Sequence, residues 1–179
     1  MCAGQAGGRS ISDAGQAGGR SFVAGQAGGR SSSELAQVRV VASADLQWAL
    51  RELATVAHDG RAAGVDLRSW AVLGEMDSDG VSGRSAAELN AWVLDHDRIG
   101  RLAVRLDISK IICVGSSRAV HGLHQGAVME GSWGDEAILV DTAEEALAIL
   151  GTQRGPADVV VISGGADVGL AQLSDRIGG

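Results

Sequence analysis

Five short, continuous runs of apolar and β-branched residues constrain the fold of this chain more than any other feature. They lie at residues 38–42, 70–74, 110–114, 137–140 and 158–163. Runs without polar alternation are typical of strands that are covered on both faces, as in parallel sheets. No hairpin signal joins one run to the next. The sequence therefore predicts an α/β fold with a mainly parallel, doubly wound sheet flanked by helices.

Apolar stripes and a capping motif predict helices between these strands. One stripe, at helical spacing, consists of Leu46, Leu50, Leu53 and Ala57. A second stripe consists of Leu89, Trp92, Val93, Ile99, Leu102 and Leu106. Both have the three- to four-residue spacing of an amphipathic helix. Thr142 and Glu145 have capping-box spacing, so a helix is expected to begin there, and a last helix is expected after Val168.

The amino-terminal segment has a different composition. It contains three copies of AGQAGGRS, whose only apolar residues are alanines, so the repeat cannot build a core. We therefore predict a disordered, Gly-rich, low-complexity tail at residues 1–37 and a folded domain at residues 38–179. The regular recurrence of Arg9, Arg20 and Arg30 leaves open a docking role for the tail.

Charge and composition exclude several classes of function. Acidic residues outnumber basic ones 22 to 15, which gives a net charge of -7. Phosphate backbones and anionic lipids repel such a chain, so neither nucleic acid nor membrane is an expected partner. No apolar run approaches the ~18 residues of a membrane span, and the polar start lacks the apolar segment of a signal peptide. We expect a cytoplasmic protein in which Cys113 is a buried, reduced thiol; Cys2 lies in the tail.

The positions of lysine and glycine bear on phosphate binding. Lys110 is the only lysine in the chain, and Ile111 follows it. A G-x-x-x-x-G-K-[ST] loop, which needs lysine directly after its last glycine, is therefore excluded. The glycines at 164–169 lie between a predicted strand and a predicted helix, where phosphate can bind. Their spacing is not G-x-G-x-x-G, so a tight turn is the favoured interpretation.

Two groups of side chains could carry other chemistry. His121 and His124 share a helix face and could bind a metal with Glu130, but surface or helix-end roles are favoured, and no metal site is predicted. The second group combines carboxylates with an imidazole, as acid-base chemistry requires. It consists of Asp77, Asp79, Asp95, His96 and Asp97. Solvated charge at helix ends is the favoured interpretation, and no catalytic residue is predicted.

Three longer blocks resemble the C-terminal domain of Mur ligases. They are WAVLGEM at 70–76, HDRIGRLAVRL at 96–106 and GAVMEGSWG at 126–134, and shorter matches lie at 158–162 and 169–170. Several blocks in one order are more specific than any single motif. The resemblance implies a Rossmann-like third domain of a three-domain, ATP-dependent ligase of peptidoglycan synthesis.

The resemblance also implies a division of labour. In the member that this chain resembles most, the central domain uses ATP and Mg²⁺ to phosphorylate a UDP-linked tripeptide, and D-alanyl-D-alanine attacks the acyl phosphate. The C-terminal domain closes over the cleft and orients the substrates. This sequence contains no ATP-binding domain, so the chain alone is expected to bind no cofactor and to be inactive. The alternatives are action in trans with a separate Mur ligase ATP-binding domain, or a small-molecule binding or structural role; D-alanyl-D-alanine is a possible ligand.

Candidate cleft residues follow from the resemblance and from the rule that ligands bind at the carboxyl ends of parallel strands. They are Gly74, Glu75, Met76, Asp45 and Ser163. The chain departs from the family at two of these places. Residues 39–45 replace an Asn-rich segment, and Ser163 replaces a lysine that follows the last strand. Extra residues also lie between Met76 and His96.

Overall fold

The computed structural model describes residues 38–76, 83–132, 134–164 and 169–177. The predicted tail at residues 1–37, most of the predicted turn at 164–169, and residues 77–82, 133 and 178–179 lie outside the described residues.

Five parallel strands form one sheet. They are β1 (Val38–Val40), β2 (Ser69–Leu73), β3 (Lys110–Val114), β4 (Ala137–Val140) and β5 (Val159–Ser163). Their order in the sheet is β1-β5-β2-β3-β4, and every neighbouring pair is parallel. Every residue of β2 and β5 is buried, as expected for continuous apolar runs in a covered sheet. The predicted fold class is confirmed.

Helices cover both faces of this sheet. They are α1 (Leu46–Ala62), α2 (Ala86–Arg105), α3 (Arg118–Glu130), α4 (Ala143–Gln153) and α5 (Leu170–Ile177). The first three pack on one face, and α4 and α5 pack on the other. The chain moves in one direction across the sheet from β1 to β4 and returns for β5, so right-handed crossovers place α4 on the opposite face. No helix of the described residues is long and apolar enough to cross a membrane.

On the first face, α2 and α3 approach each other at glycines. A Cβ atom on Gly100 would collide with the carbonyl oxygen of Leu123, and one on Gly126 would collide with that of Asp97. The predicted α1 stripe is buried as expected. In the α2 stripe only Ile99 is buried, because the side of α2 nearest the sheet and α3 carries His96, Gly100 and Ala103.

On the second face, Trp70 and Asp158 form a buried polar anchor. The Trp70 indole Nε1 donates to Asp158 Oδ2 at 2.8 Å, and both residues are almost fully buried. Asp158 also accepts from the backbone N–H groups of Arg68 at 2.8 Å and Gly155 at 2.9 Å. The guanidinium of Arg68 lies 3.2 Å from the same carboxylate. Four donors thus compensate one buried charge.

Side-chain caps begin α2 and α4. Ser85 and Glu88 form a reciprocal capping box at α2, and the backbone N–H of Ser85 is the main cause of a lowered Glu88 pKa. At α4, Thr142 Oγ1 accepts from the Glu145 N–H at 3.3 Å, as predicted. The Glu145 carboxylate accepts from the N–H of Asp141, one residue before the cap.

Cys113 lies in the middle of the sheet. It is fully buried and forms no disulfide, as predicted, and burial raises the pKa of its thiol well above the usual range. A thiol in this state is a packing group and a poor nucleophile.

Candidate functional site

A groove of about 580 Å³ lies beside the carboxyl edge of the sheet, between the start of α1 and the middle of α2. Its apolar walls include Trp48, Trp92 and Met76. Arg51 lies at its exposed margin, and Arg98, also at this margin, is paired with Asp95 of the same lining. We call this space the α1–α2 groove; it is lined by Ser43, Ala44, Gln47, Trp48, Arg51, Met76, Trp92, Asp95, His96, Arg98 and Ile99.

Two side chains of α2 hold the backbone of Met76 in this groove. The Met76 N–H donates to His96 Nε2 at 3.0 Å, and the Met76 carbonyl accepts from Trp92 Nε1 at 3.0 Å. Since Nε2 accepts, the proton of the neutral imidazole is on Nδ1, which donates to the Trp92 carbonyl at 2.8 Å. The chain segment after β2 is therefore attached to α2 through both main-chain groups of one residue.

The opposite wall of the groove is built on Trp48. This indole is 52% exposed, and the Arg39 guanidinium lies 4.7 Å from its ring centroid. Arg39 is in turn paired with Glu52 at 2.6 Å. A large aromatic surface thus remains open to solvent at the carboxyl edge, where ligands of parallel sheets bind.

The carboxyl ends of β2 and β5 meet behind this groove. The Gly74 N–H donates to the Ser163 carbonyl at 2.7 Å. A Cβ atom on Gly164 would come within 2.9 Å of Gly74 Cα, so only glycine permits this approach. Ser163 is 1% exposed, and its Oγ has no hydrogen-bond partner in the described part of the chain.

The predicted cleft residues fall into three environments. Met76 lines the α1–α2 groove together with the segment that follows β1. Gly74 and Ser163 contact each other but are buried behind it, and Glu75 is half-buried. Asp45 is exposed just before α1, and its side chain makes no cap to that helix. Of the five, only Met76 contributes to the groove wall.

The interpretation of His96 as part of a solvated, charged helix end is wrong. Its side chain is fully buried, and both ring nitrogens bond to the main chain, so it has no free nitrogen for proton transfer. Asp95 is exposed and paired with Arg98 at 2.6 Å, and Asp97 is paired with Arg101 at 2.8 Å. Asp77 and Asp79 lie outside the described residues.

A signal for the position of His96 exists in the sequence. Positions 92, 96, 99 and 103 share one helical face, and His96 stands between apolar members of that face. The burial follows from this pattern, but its hydrogen bond to Met76 is a long-range contact that periodicity does not reveal.

The other proposed ligand group does not assemble. His121 is exposed, and its Nδ1 lies 2.9 Å from the Ser117 carbonyl. Glu130 instead accepts hydrogen bonds from Arg105 and Arg101. These two guanidinium groups lower the pKa of Glu130, and Arg105 has the larger effect. The described residues contain no group of three side chains that could hold a metal ion.

The only lysine of the chain lies at the opposite edge of the sheet. Lys110 is the first residue of β3, and its Nζ donates to the Asp135 carbonyl at 2.7 Å. Lysine commonly contacts the terminal phosphates of a bound nucleotide. The described lining of the α1–α2 groove therefore contains no lysine for that role.

Comparison with known proteins gives matches to one kind of enzyme. The UDP-N-acetylmuramoyl-tripeptide–D-alanyl-D-alanine ligase of Mycobacterium leprae is 44% identical over 136 residues, which cover 73% of this chain and 24% of the relative. The ligases of that name from Mycobacterium bovis and Mycobacterium tuberculosis are 39% identical over 140 residues, which cover 72% of this chain and 25% of each relative.

This chain thus spans about a quarter of the length of the relatives that it matches. No family model and no solved structure matches. The match is confined to the C-terminal portion of the relatives, where the sequence blocks placed it. The chain is a homologue of the C-terminal portion of these peptidoglycan ligases, and the resemblance to Mur ligases is confirmed.

Proposed function

We propose that the described domain performs the orienting task of a ligase that adds D-alanyl-D-alanine to a UDP-linked tripeptide, and that the 179-residue chain alone does not activate the carboxylate. Its cleft edge positions substrates, and an ATP-binding region supplied from elsewhere performs the phosphorylation. A cytoplasmic location, where nucleotide-linked precursors are made, accords with this role.

One observation carries this proposal. The homologous region is the C-terminal quarter of the relatives, and its only ammonium group lies at the amino edge of the sheet, on Lys110. Carboxylate activation requires charge stabilisation at the transferred phosphoryl group. The described cleft edge instead offers an aromatic and guanidinium-bearing groove, which is suited to holding a substrate in position.

A phosphate-release assay tests the proposal. The purified chain is incubated with ATP, Mg²⁺, the UDP-linked tripeptide and D-alanyl-D-alanine, and a full-length ligase serves as the positive control. We expect no release above the rate without enzyme. Sustained turnover by the chain alone would overturn the proposal.

The groove favours action in trans as a second candidate. Met76 remains fixed to α2, and Trp48 remains exposed beside it, so the cleft edge of the domain is still built. A domain of this kind could complete a separate ligase core that lacks its own C-terminal region.

Rescue of such a core tests the second candidate. Adding the chain to a ligase without its C-terminal domain should restore activity, and Trp48→Ala should reduce the rescue at least tenfold. Leu94→Ala is the matched control, since Leu94 is also an exposed apolar residue but lies outside the groove. Absence of rescue, or equal loss from both variants, would count against action in trans.

Small-molecule binding without catalysis is the remaining alternative. A thermal shift with D-alanyl-D-alanine that disappears in Trp48→Ala would favour it, because a ligand that binds the folded state raises the unfolding temperature. The absence of a shift would favour a structural role.

A further inference from the structure

A second cavity lies on the other face of the sheet, between the ends of α4 and α5. Its volume is about 190 Å³. Its lining residues are Leu147, Leu150, Gly151, Arg154, Arg176 and Ile177. Two guanidinium groups thus share a small space whose remaining side chains are apolar. The helices that form it end near the amino edge of the sheet, away from the α1–α2 groove.

The side chain of Arg154 does not cap the end of α4. The carbonyl of Gln153 at the end of this helix accepts from the guanidinium of Arg68. The backbone N–H of Arg154 bonds to the Leu150 carbonyl at 2.9 Å. The nearby carboxylate of Asp158 is already occupied by Arg68 and by three other donors. The Arg154 side chain is therefore not needed for these contacts.

One nitrogen of Arg154 is buried without a partner. Nη1 is shielded from solvent and has no hydrogen-bond acceptor among the described residues. A buried donor without an acceptor costs about 1–3 kcal/mol, and more when it is charged.

Two arginines without a carboxylate partner line this one cavity. Within the described parts of the chain, six of eleven arginines are paired with carboxylates; they are Arg39, Arg61, Arg68, Arg98, Arg101 and Arg105. Arg154 and Arg176 pair with none of the described carboxylates, although the chain has 22 acidic residues. Arg51 on α1 and Arg118 on α3 also pair with none of the described carboxylates, but they lie on different helices and do not line this cavity. Two unopposed cations at one cavity repel each other unless an anion lies between them.

We propose that this cavity binds a compact oxyanion, a phosphate or carboxylate group, between the guanidinium groups of Arg154 and Arg176. The planar fork of arginine matches both groups and forms charge-assisted hydrogen bonds with them. At about 30 Å³ for each water, the volume corresponds to about six waters, enough for such a group. The site does not depend on the ligase proposal, because it lies on the other face of the sheet.

Thermal unfolding with added anions tests this site. The full chain is melted in inorganic phosphate and in acetate, with chloride at equal ionic strength as the reference. At a tenfold excess over Kd, the binding anion should raise the unfolding temperature by about 3–6 °C above chloride. A shift with phosphate alone identifies a phosphoryl site, and a shift with acetate identifies a carboxylate site; both support the proposal.

Two variants and one control locate the effect. Arg154→Gln and Arg176→Gln should each weaken anion binding at least tenfold. Arg118→Gln, at the exposed start of α3, removes the same charge elsewhere and should leave binding unchanged. If Arg154→Gln lacks a cooperative transition, the exposed Arg176 decides the result. Equal shifts in all three variants, or no shift above chloride in the unaltered chain, would overturn the proposal.

Discussion

The two faces of the sheet are stabilised in different ways. On the first face, α2 and α3 meet backbone to backbone at Gly100 and Gly126, and the charges nearby are paired across the helices. On the second face, the buried Trp70–Asp158 anchor joins two elements, and a cavity with two unopposed arginines lies between α4 and α5. The α2–α3 contact on the first face therefore leaves no space for a larger side chain, whereas the second face depends on one buried, compensated charge.

Replacement of the second-face anchor should have the largest effect. In Asp158→Asn, the new amide N–H₂ must face backbone or indole N–H donors in either orientation, because donors converge on both oxygens. Breaking a buried, hydrogen-bonded charge of this kind costs about 3–5 kcal/mol. Urea unfolding measures the loss.

The control for this prediction is Asp107→Asn. Asp107 is 91% exposed and pairs with Arg61 at 3.3 Å, so its replacement should cost no more than about 1 kcal/mol. Equal losses from the two variants would show that Asp158 is not an anchor.

Replacement of glycine by alanine should change the free energy of unfolding in opposite directions on the two faces. Gly100→Ala on α2 places a Cβ against the backbone of α3 and should destabilise the chain by about 2–3 kcal/mol. Gly151→Ala on α4 meets no atom within 4 Å and should stabilise it by about 0.5–1 kcal/mol through helix propensity. Denaturant midpoints measure both. A neutral Gly100→Ala would contradict the close contact between α2 and α3.

Removal of the helix caps should have similar effects on both faces. Ser85→Ala at α2 and Thr142→Ala at α4 should each cost about 1 kcal/mol. Ser85→Ala should cost slightly more, since the Ser85 hydroxyl also donates to the Glu88 carboxylate at 2.7 Å. A loss near zero at Ser85 would mean that the start of α2 is held by other contacts, and chemical denaturation decides this.

The pH dependence of the first face should be the smallest effect. The pKa of Glu130 is lowered by Arg105 and Arg101, so its stabilising contribution is full above its unfolded pKa of about 4.3 and is lost as pH falls through the lower, folded pKa. Glu130→Gln should therefore flatten the fall in unfolding midpoint between about pH 5 and pH 3.

An exposed carboxylate on the second face provides the comparison for Glu130. Glu144→Gln on α4 replaces an exposed side chain that forms no ion pair with the described residues, and it is the matched control for the loss of one carboxylate. If the profile of Glu130→Gln is as steep as that of the unaltered chain, the ion pairs of Glu130 do not contribute to the pH dependence of stability.

Local patterns predicted most of this fold. The runs at 110–114 and 137–140 coincide with β3 and β4, because β-branched runs bounded by polar residues leave little freedom in where a strand ends. The α1 stripe and the Thr142 cap were likewise confirmed, since both depend on residues three or four positions apart. The strand order required knowledge of contacts between distant segments.

The site was less predictable for the same reason. The groove depends on Trp48 and His96, which reach the cleft edge through packing between α1, α2 and the end of β2. The resemblance to Mur ligases identified Met76 as a cleft residue, but it did not identify Trp48 and His96 as its neighbours. The sequence does not indicate that Arg154 lacks a carboxylate partner among the described residues. That arrangement depends on Arg68, distant in sequence, whose guanidinium binds the Gln153 carbonyl at the end of α4.

Direct titration of the purified chain with Mg-ATP tests the central claim, which is that this region orients substrates and does not itself hold the nucleotide. Calorimetry on the 179-residue chain carrying Arg176→Gln, which weakens the proposed oxyanion cavity, should give no saturable heat at millimolar nucleotide, with a full-length ligase as the positive control. Saturable binding of Mg-ATP by this variant would contradict the account.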